Sequence, residues 1–270
     1  MFPLAGKNFP TSSDELASSI EEALGEVFTM PKKSGVTVEG TKFPALKTVK
    51  INLSGATVSA KEPPPKPKPV GKRQPGVRVA KLEVTGQPIQ YEQTKLNLKV
   101  TGSGLAFDFA RDKKGNALLV LAEAEDGKVE AKISKKDIET LLTEAASVAA
   151  KQQGITIKDL ELDLKQQDGP RSVAAEVRVK AKKMMMTGTI VITGQLDIDD
   201  ELNATVSGLN CTGEGMVGTL AASIVQKHLK PHDGTTVPLM AFSFGDVALR
   251  DLKIKVKDSV EVSAAFGKES

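Results

Sequence analysis

One ten-residue pattern, apolar-x-apolar-(Lys/Arg)-Asp-Leu-x-apolar-x-apolar, occurs twice in this chain, as Ile155–Leu164 and as Val247–Val256. Each copy alternates apolar and other residues, slips by one position at the basic-Asp pair, and then alternates again. Alternation with period two marks a strand with one buried face. A one-residue slip would turn that face outward unless a bulge or a sharp twist absorbs it. A looser copy, Val77–Val84, lacks the Asp and keeps the slip. The recurrence predicts a duplicated unit that bends its sheet at the same place each time. Asp159 and Asp251, at the two slips, are then markers of the bend, each carboxylate bonding local backbone amides, rather than a catalytic pair.

Helices punctuate the strands. Ser12-Ser13-Asp14-Glu15 fits a capping box, with Glu15 three residues after the cap, and Leu16, Ile20, Leu24, Val27 and Phe28 follow at helical spacing. Ser134 and Asp137 open a second helix whose stripe is Ile138, Leu141, Leu142, Ala145, Val148 and Ala149, closed by Gly154. A third helix is predicted from about Gly215 to Lys230, with Val217, Leu220, Ala221, Ile224, Val225, His228 and Leu229 on its inner face. Strands are expected at Val173–Ala181, Thr187–Thr193 and Leu202–Val206, and Asp126-Gly127 reads as a hairpin turn before Val129. The fold class is therefore α+β: strongly curved antiparallel sheet wrapped around long amphipathic helices. Residues 1–76 read as an arm, helix, strands and exposed loop packed on the same domain, and residues 77–270 as the repeated helix-plus-sheet domain.

Residues 61–76 hold three consecutive prolines and five Lys/Arg against one Glu, which predicts an exposed polyproline-like loop. Lys66, Lys68, Lys72 and Arg73 are candidates for contact with anionic headgroups, at roughly 1 kcal/mol per basic residue near such a surface. A plain soluble spacer is the simpler reading. Met184-Met185-Met186 is either a soft surface for acyl chains or ordinary packing.

The chemistry of an enzyme is hard to assemble from these residues. His228 and His232 are the only histidines, and Pro231 ends the helix between them. A helix-end imidazole beside the C-terminal dipole suits them better than a metal site. Gly213-x-Gly215-x-x-Gly218 matches a dinucleotide fingerprint, but no βαβ alternation surrounds it, so close packing of helix on strand is the preferred reading. Asp197–Glu201 lacks the spacing of a calcium loop and reads as a solvated turn. Cys211 is alone, so no internal disulfide is expected and a small buried thiol is favoured over a nucleophile. With no Trp, one Tyr and a net charge of +3, base stacking and a broad basic field are both disfavoured, so nucleic acid is not an expected partner. The first residues do not make a signal peptide and no stretch reaches a membrane span, so the expected location is inside the cell unless a leader has been removed.

At the repeat motif the chain resembles the bacterial DUF2993 (LmeA-like) proteins of the tubular lipid-binding (TULIP) superfamily. Ile155–Leu164 and Val247–Val256 carry the resemblance, supported by the helices Lys135–Lys151 and Val217–Lys230 over about residues 77–266. The resemblance implies a bent sheet around a long helix, an apolar groove between them and a place in the cell envelope. The residues themselves point the same way, because an aliphatic space with few polar handles suits an acyl or isoprenoid chain. The expected lining is Leu141, Leu142, Leu220 and Ile224 from helices and Ile157, Leu162, Leu249 and Ile254 from strands. The expected function is non-enzymatic lipid binding or membrane association, without a cofactor. The alternative is a structural protein that self-associates, with the same apolar surface filled by its own side chains.

Overall fold

The computed structural model describes residues 1–33, 35–40, 42–59, 67–151, 154–239 and 245–268. The elements in chain order are β1 (Phe2–Pro3), α1 (Ser13–Gly25), β2 (Phe28–Thr29), β3 (Gly35–Glu39), β4 (Ala45–Asn52), β5 (Thr57–Val58), β6 (Val70–Tyr91), β7 (Thr94–Arg111), β8 (Ala117–Glu123) and β9 (Asp126–Ser134). They continue with α2 (Lys135–Lys151), β10 (Thr156–Gln166), β11 (Ser172–Lys183), β12 (Met186–Ile198), β13 (Asn203–Glu214), α3 (Gly215–Leu229), a 3-10 turn at Lys230–His232, β14 (Thr235–Pro238), β15 (Leu249–Val256) and β16 (Ser259–Phe266). The class is α+β with strands dominating, in one large mixed sheet and one antiparallel sheet of five strands. The chain forms two compact units. The first holds the described residues of Met1–Lys132, Phe242–Asp251 and Ser263–Ser270, and the second those of Ile133–Ala241 and Leu252–Val262.

In the first unit, α1 begins where Ser12 accepts a hydrogen bond from the Glu15 amide at 3.2 Å. A cap of this kind is worth about 1 kcal/mol. Leu16, Ile20 and Leu24 are buried with Leu46, Val49, Val77, Val79, Leu105 and Phe266, each such side chain contributing roughly 2 kcal/mol of transfer free energy. The strand β6 crosses residues 76 and 77 without a break. The expected Lys/Pro loop is thus partly corrected: Val70–Gly76 is strand. Pro75 pairs with Asp108, and the ladder shifts register on both sides of the Gln74–Pro75 pairs, at Val70/Gln74 and Pro75/Arg78. A residue without an N–H is tolerated where a ladder is already irregular. Asp126-Gly127 is also not a turn. Gly127 lies in β9, and a Cβ there would stand 2.1 Å from the Phe266 ring. The glycine makes room for that buried ring.

The second unit is built on an antiparallel meander in the order β10-β11-β12-β13-β14. The sequence slip in β10 is a bulge: Ile157 pairs with Ala181 and Asp159 with Lys180, leaving Lys158 as the extra residue. The bulge returns Leu160, Leu162 and Leu164 to the face that holds Ile157. In β15 the slip falls on Asp251, whose φ of 53° is left-handed. In the loose copy there is no register shift at Ala80. There β6 stays in register with β7, and Gly104 across the ladder takes a φ of 58°. The two Asp residues bond cations rather than backbone amides: Asp159 accepts from Lys180 at 3.1 Å and Asp251 from Arg250 at 2.9 Å.

Those φ values give a simple test. Asp251→Gly removes a left-handed side chain together with a surface ion pair, so the melting temperature is expected to hold or rise. Asp251→Val is expected to cost about 1–2 kcal/mol, because a β-branched residue is poorly accommodated there. Thermal unfolding of the two variants decides it. An Asp251→Gly loss as large as that of Asp251→Val would show that the carboxylate, and not the bend, is what the position needs.

α2 and α3 begin and end as their sequences direct. The Asp137 amide donates to Ser134 Oγ at 3.0 Å, and Gly154, with φ 65°, closes the helix through its N–H to the Lys151 carbonyl at 3.1 Å. The stripes differ from expectation, however. On α2, Ala145, Val148 and Ala149 are exposed. On α3, the buried residues are Val217, Gly218, Ala221 and Ala222, while Leu220 and Ile224 face solvent. On α3 the cause is the glycine cluster. Added Cβ atoms would stand 2.4 Å from the Thr189 carbonyl oxygen at Gly218, 2.2 Å from the Gly218 amide nitrogen at Gly188, and 2.1 Å from the Gly218 oxygen at Gly213. Backbone meets backbone here, which turns the small residues of α3 inward and the large ones outward.

Candidate functional site

Cross-strand pairing sets the apolar face of the five-stranded sheet in rows. Leu160, Val179 and Ile190 form one row, Leu162, Val177 and Ile192 the next, then Leu164, Ala175 and Gly194, then Val173 and Leu196 with Val206. The first row and part of the second are closed over by Leu142 and Ala146 of α2 and Ala221, Ala222 and Val225 of α3. The remaining rows are not filled. They floor a groove of about 440 Å3, with Ile138 of α2 and Leu209 of β13 at its sides and Ile254, Val260 and Val262 completing the wall. The volume lies within the roughly 300–1,000 Å3 of small-molecule sites. Apart from Thr193 and Gln195, every lining residue is aliphatic or glycine. Leu162, Val173 and Ile254 are buried, whereas Ala175, Val177, Ile192, Leu196, Val260 and Val262 are half-buried and therefore reachable.

The opposite face of the same sheet is ionic. Arg178 bonds Glu176 at 2.7 Å, and Lys180 reaches Asp159 at 3.1 Å and Glu161 at 3.6 Å. The hydrogen bond and charge of Glu176 hold the Arg178 guanidinium above its ordinary pKa, and Asp159 and then Glu161 do the same for Lys180. These groups are solvated, so each pair adds little stability. They fix which face meets water.

The helices also satisfy the sheet's free edges. Glu139 of α2 accepts the Leu162 amide of β10 at 2.9 Å, and Gln226 of α3 accepts the Cys211 amide of β13. Asp233 accepts the Leu209 amide at 3.0 Å. Each bond occupies a strand N–H that would otherwise template another chain. The Cys211 thiol is pushed above its ordinary pKa by burial and packs in the hydrophobic cluster. Among the described residues, no group of three His, Cys, Asp or Glu is placed to hold a metal ion.

Of the eight residues expected to line a groove, Leu162 and Ile254 do so. Leu142 and Ile157 pack in the closed part of the core, and Leu141 is half-buried on α2 outside the lining. Leu220 and Ile224 are on the solvent side of α3, and Leu249 packs in the core of the first unit. The principal lining comes instead from β11 and β12, whose alternation in sequence marks strands without marking a site. Of the basic candidates, Lys68 is exposed, Lys72 is exposed within β6, and Arg73 is engaged by Asp246; Lys66 lies outside the described residues. Compared with protein families, curated proteins and solved structures, the chain gives no match.

Proposed function

We propose that this chain is a non-enzymatic lipid-binding protein that holds an acyl or isoprenoid chain against the open rows of β10–β13. The aliphatic lining of the second unit's groove carries this reading. A polar metabolite entering such a site would leave its hydrogen-bonding groups unpaired, whereas a hydrocarbon chain loses nothing there. The bulge of β10 supports a sheet that curves toward the helices, as the TULIP resemblance implies. The absence of a carboxyl, imidazole or thiol from the lining favours a carrier over a catalyst.

A single myristoyl chain binds a bilayer with an affinity on the order of 10⁴ per molar, so a comparable burial here gives a Kd on the order of 10–100 µM. Mass spectrometry of organic extracts from gently purified protein is expected to show co-purifying lipid, and a fluorescent fatty acid is expected to bind and be displaced by an unlabelled one. Extracts without lipid, together with no saturable binding of the fluorescent acid, would overturn the proposal.

A further inference from the structure

The lipid reading leaves a second apolar surface of the same unit unused. Two residues join β11 to β12 between the paired Lys183 and Met186, and these residues are Met184 and Met185. Met184 is 81% exposed and Met185 91%. Met184 does not fit what the turn needs. Two-residue hairpins favour Asn and Gly because φ is positive, and Met184 sits at a φ of 54° without that advantage. With so little of either side chain covered, and Met184 in a left-handed conformation, folding gains almost nothing from methionine at these positions. A soft apolar side chain held fully in water, in a backbone conformation it disfavours, marks a contact made outside the chain.

The surface continues onto α3. An added Cβ on Gly215 would stand 3.3 Å from the Thr187 carbonyl oxygen, so Met186 and Met216, the chain neighbours of those two residues, flank one tight contact. From Met216, exposed residues Leu220 and Ile224 follow at intervals of four, which is one stripe along the outer side of the helix. The sequence of α3, GMVGTLAASIVQKHL, contains no carboxylate. Lys182 lies between Thr156 on β10 and Thr187 on β12, and Lys183 lies opposite Met186, so neither faces a carboxylate across the sheet. The acids nearest along the ladder are Asp159, which Lys180 engages at 3.1 Å, and Glu214, which pairs with Thr189. The hairpin thus offers an apolar tip with cations just behind it. That order matches a bilayer surface, where anionic headgroups lie outside the acyl region.

We infer that the Met184–Met185 hairpin and the Met216–Leu220–Ile224 stripe form a membrane-docking surface selective for anionic bilayers. It places the lipid-holding unit at the source of its ligand, and so stands alongside the groove reading without sharing its residues. The test uses flotation of the full chain with phosphatidylcholine vesicles, with and without phosphatidylglycerol. The wild type is expected to float with the anionic vesicles, less so in high salt. Met184→Ser/Met185→Ser is expected to float about 10-fold less or worse, in keeping with the loss of two inserting side chains. Fatty-acid binding by that variant should be unchanged. Conversely, Ala175→Phe should lose fatty-acid binding and still float, so failure of the groove reading and failure of docking give different results. Equal flotation of the hairpin variant and the wild type would overturn the inference. So would a wild type that ignores vesicles but self-associates with rising concentration through the same methionines.

Discussion

Gly218→Ala is expected to lower the stability of the chain by about 3 kcal/mol or more, against the direction that helix propensity alone predicts. In an open helix the same change would add up to about 1 kcal/mol, because glycine loses more backbone entropy on folding than alanine. Here the new Cβ would stand 2.4 Å from the Thr189 carbonyl oxygen and 3.1 Å from its amide nitrogen. Both are backbone atoms of β12 and cannot rotate away. Thr189 is paired with Lys180 on one side and Glu214 on the other, so yielding would break ladder bonds in two directions. The remaining response is for α3 to lift, which uncovers Ala221, Ala222 and Val225 from their cluster. With roughly 2–4 °C per kcal/mol for a protein of this size, the melting temperature should fall by about 6–12 °C. Gly25, at the end of α1 with nothing within 4 Å of its Cβ position, supplies the contrast. Gly25→Ala should leave the melting temperature unchanged or raise it. If Gly218→Ala stabilised the protein as Gly25→Ala does, the close packing of α3 on β12 would be refuted.

The same contact explains what could and could not be read from the residues. Caps and helix limits were legible because they depend on neighbours in sequence: Ser12 with Glu15, Ser134 with Asp137, and Gly154 after Lys151. The bulge at Lys158 was legible for the same reason, since alternation on both sides of a slip can be kept on one face in few ways. The inner face of α3 was not. Periodicity assigned Leu220 and Ile224 to the core on hydrophobicity, but the face is chosen by backbone approach at Gly188, Gly213 and Gly218, which come from three different elements. A glycine in a strand and a glycine in a helix carry no mark that they meet. Nor do Glu139 and Gln226, polar residues at the border of apolar stripes, announce that each occupies a strand edge more than a dozen residues away. The groove followed from these displacements. Once α3 is seated at its glycines and α2 along β10, the two helices cover only part of an apolar sheet face. The remaining rows, read from β11 and β12, are left open.

Filling those rows is expected to remove the binding activity while leaving the fold in place. Ala175 lies at the floor of the groove, between Leu164 and Gly194 on the neighbouring strands, and is half-buried. A phenylalanine there projects into the empty volume rather than into packed atoms, so the overpacking that penalises core enlargements does not apply. It should occupy a substantial part of the 440 Å3 and weaken fatty-acid binding by at least about 10-fold, with a melting temperature equal to or above that of the wild type. Leu196→Asp attacks the same site by charge. A bound chain would have to desolvate the carboxylate with no cation in the lining, a cost of several kcal/mol that corresponds to about 100-fold or more in affinity. The two variants fail by different physics, volume in one and desolvation in the other, and agreement between them identifies the groove rather than either residue. A titration with fluorescent fatty acid, run beside thermal unfolding, separates loss of binding from loss of fold. Undiminished binding by both folded variants would place the lipid elsewhere on the chain and leave the open rows of the sheet without a ligand.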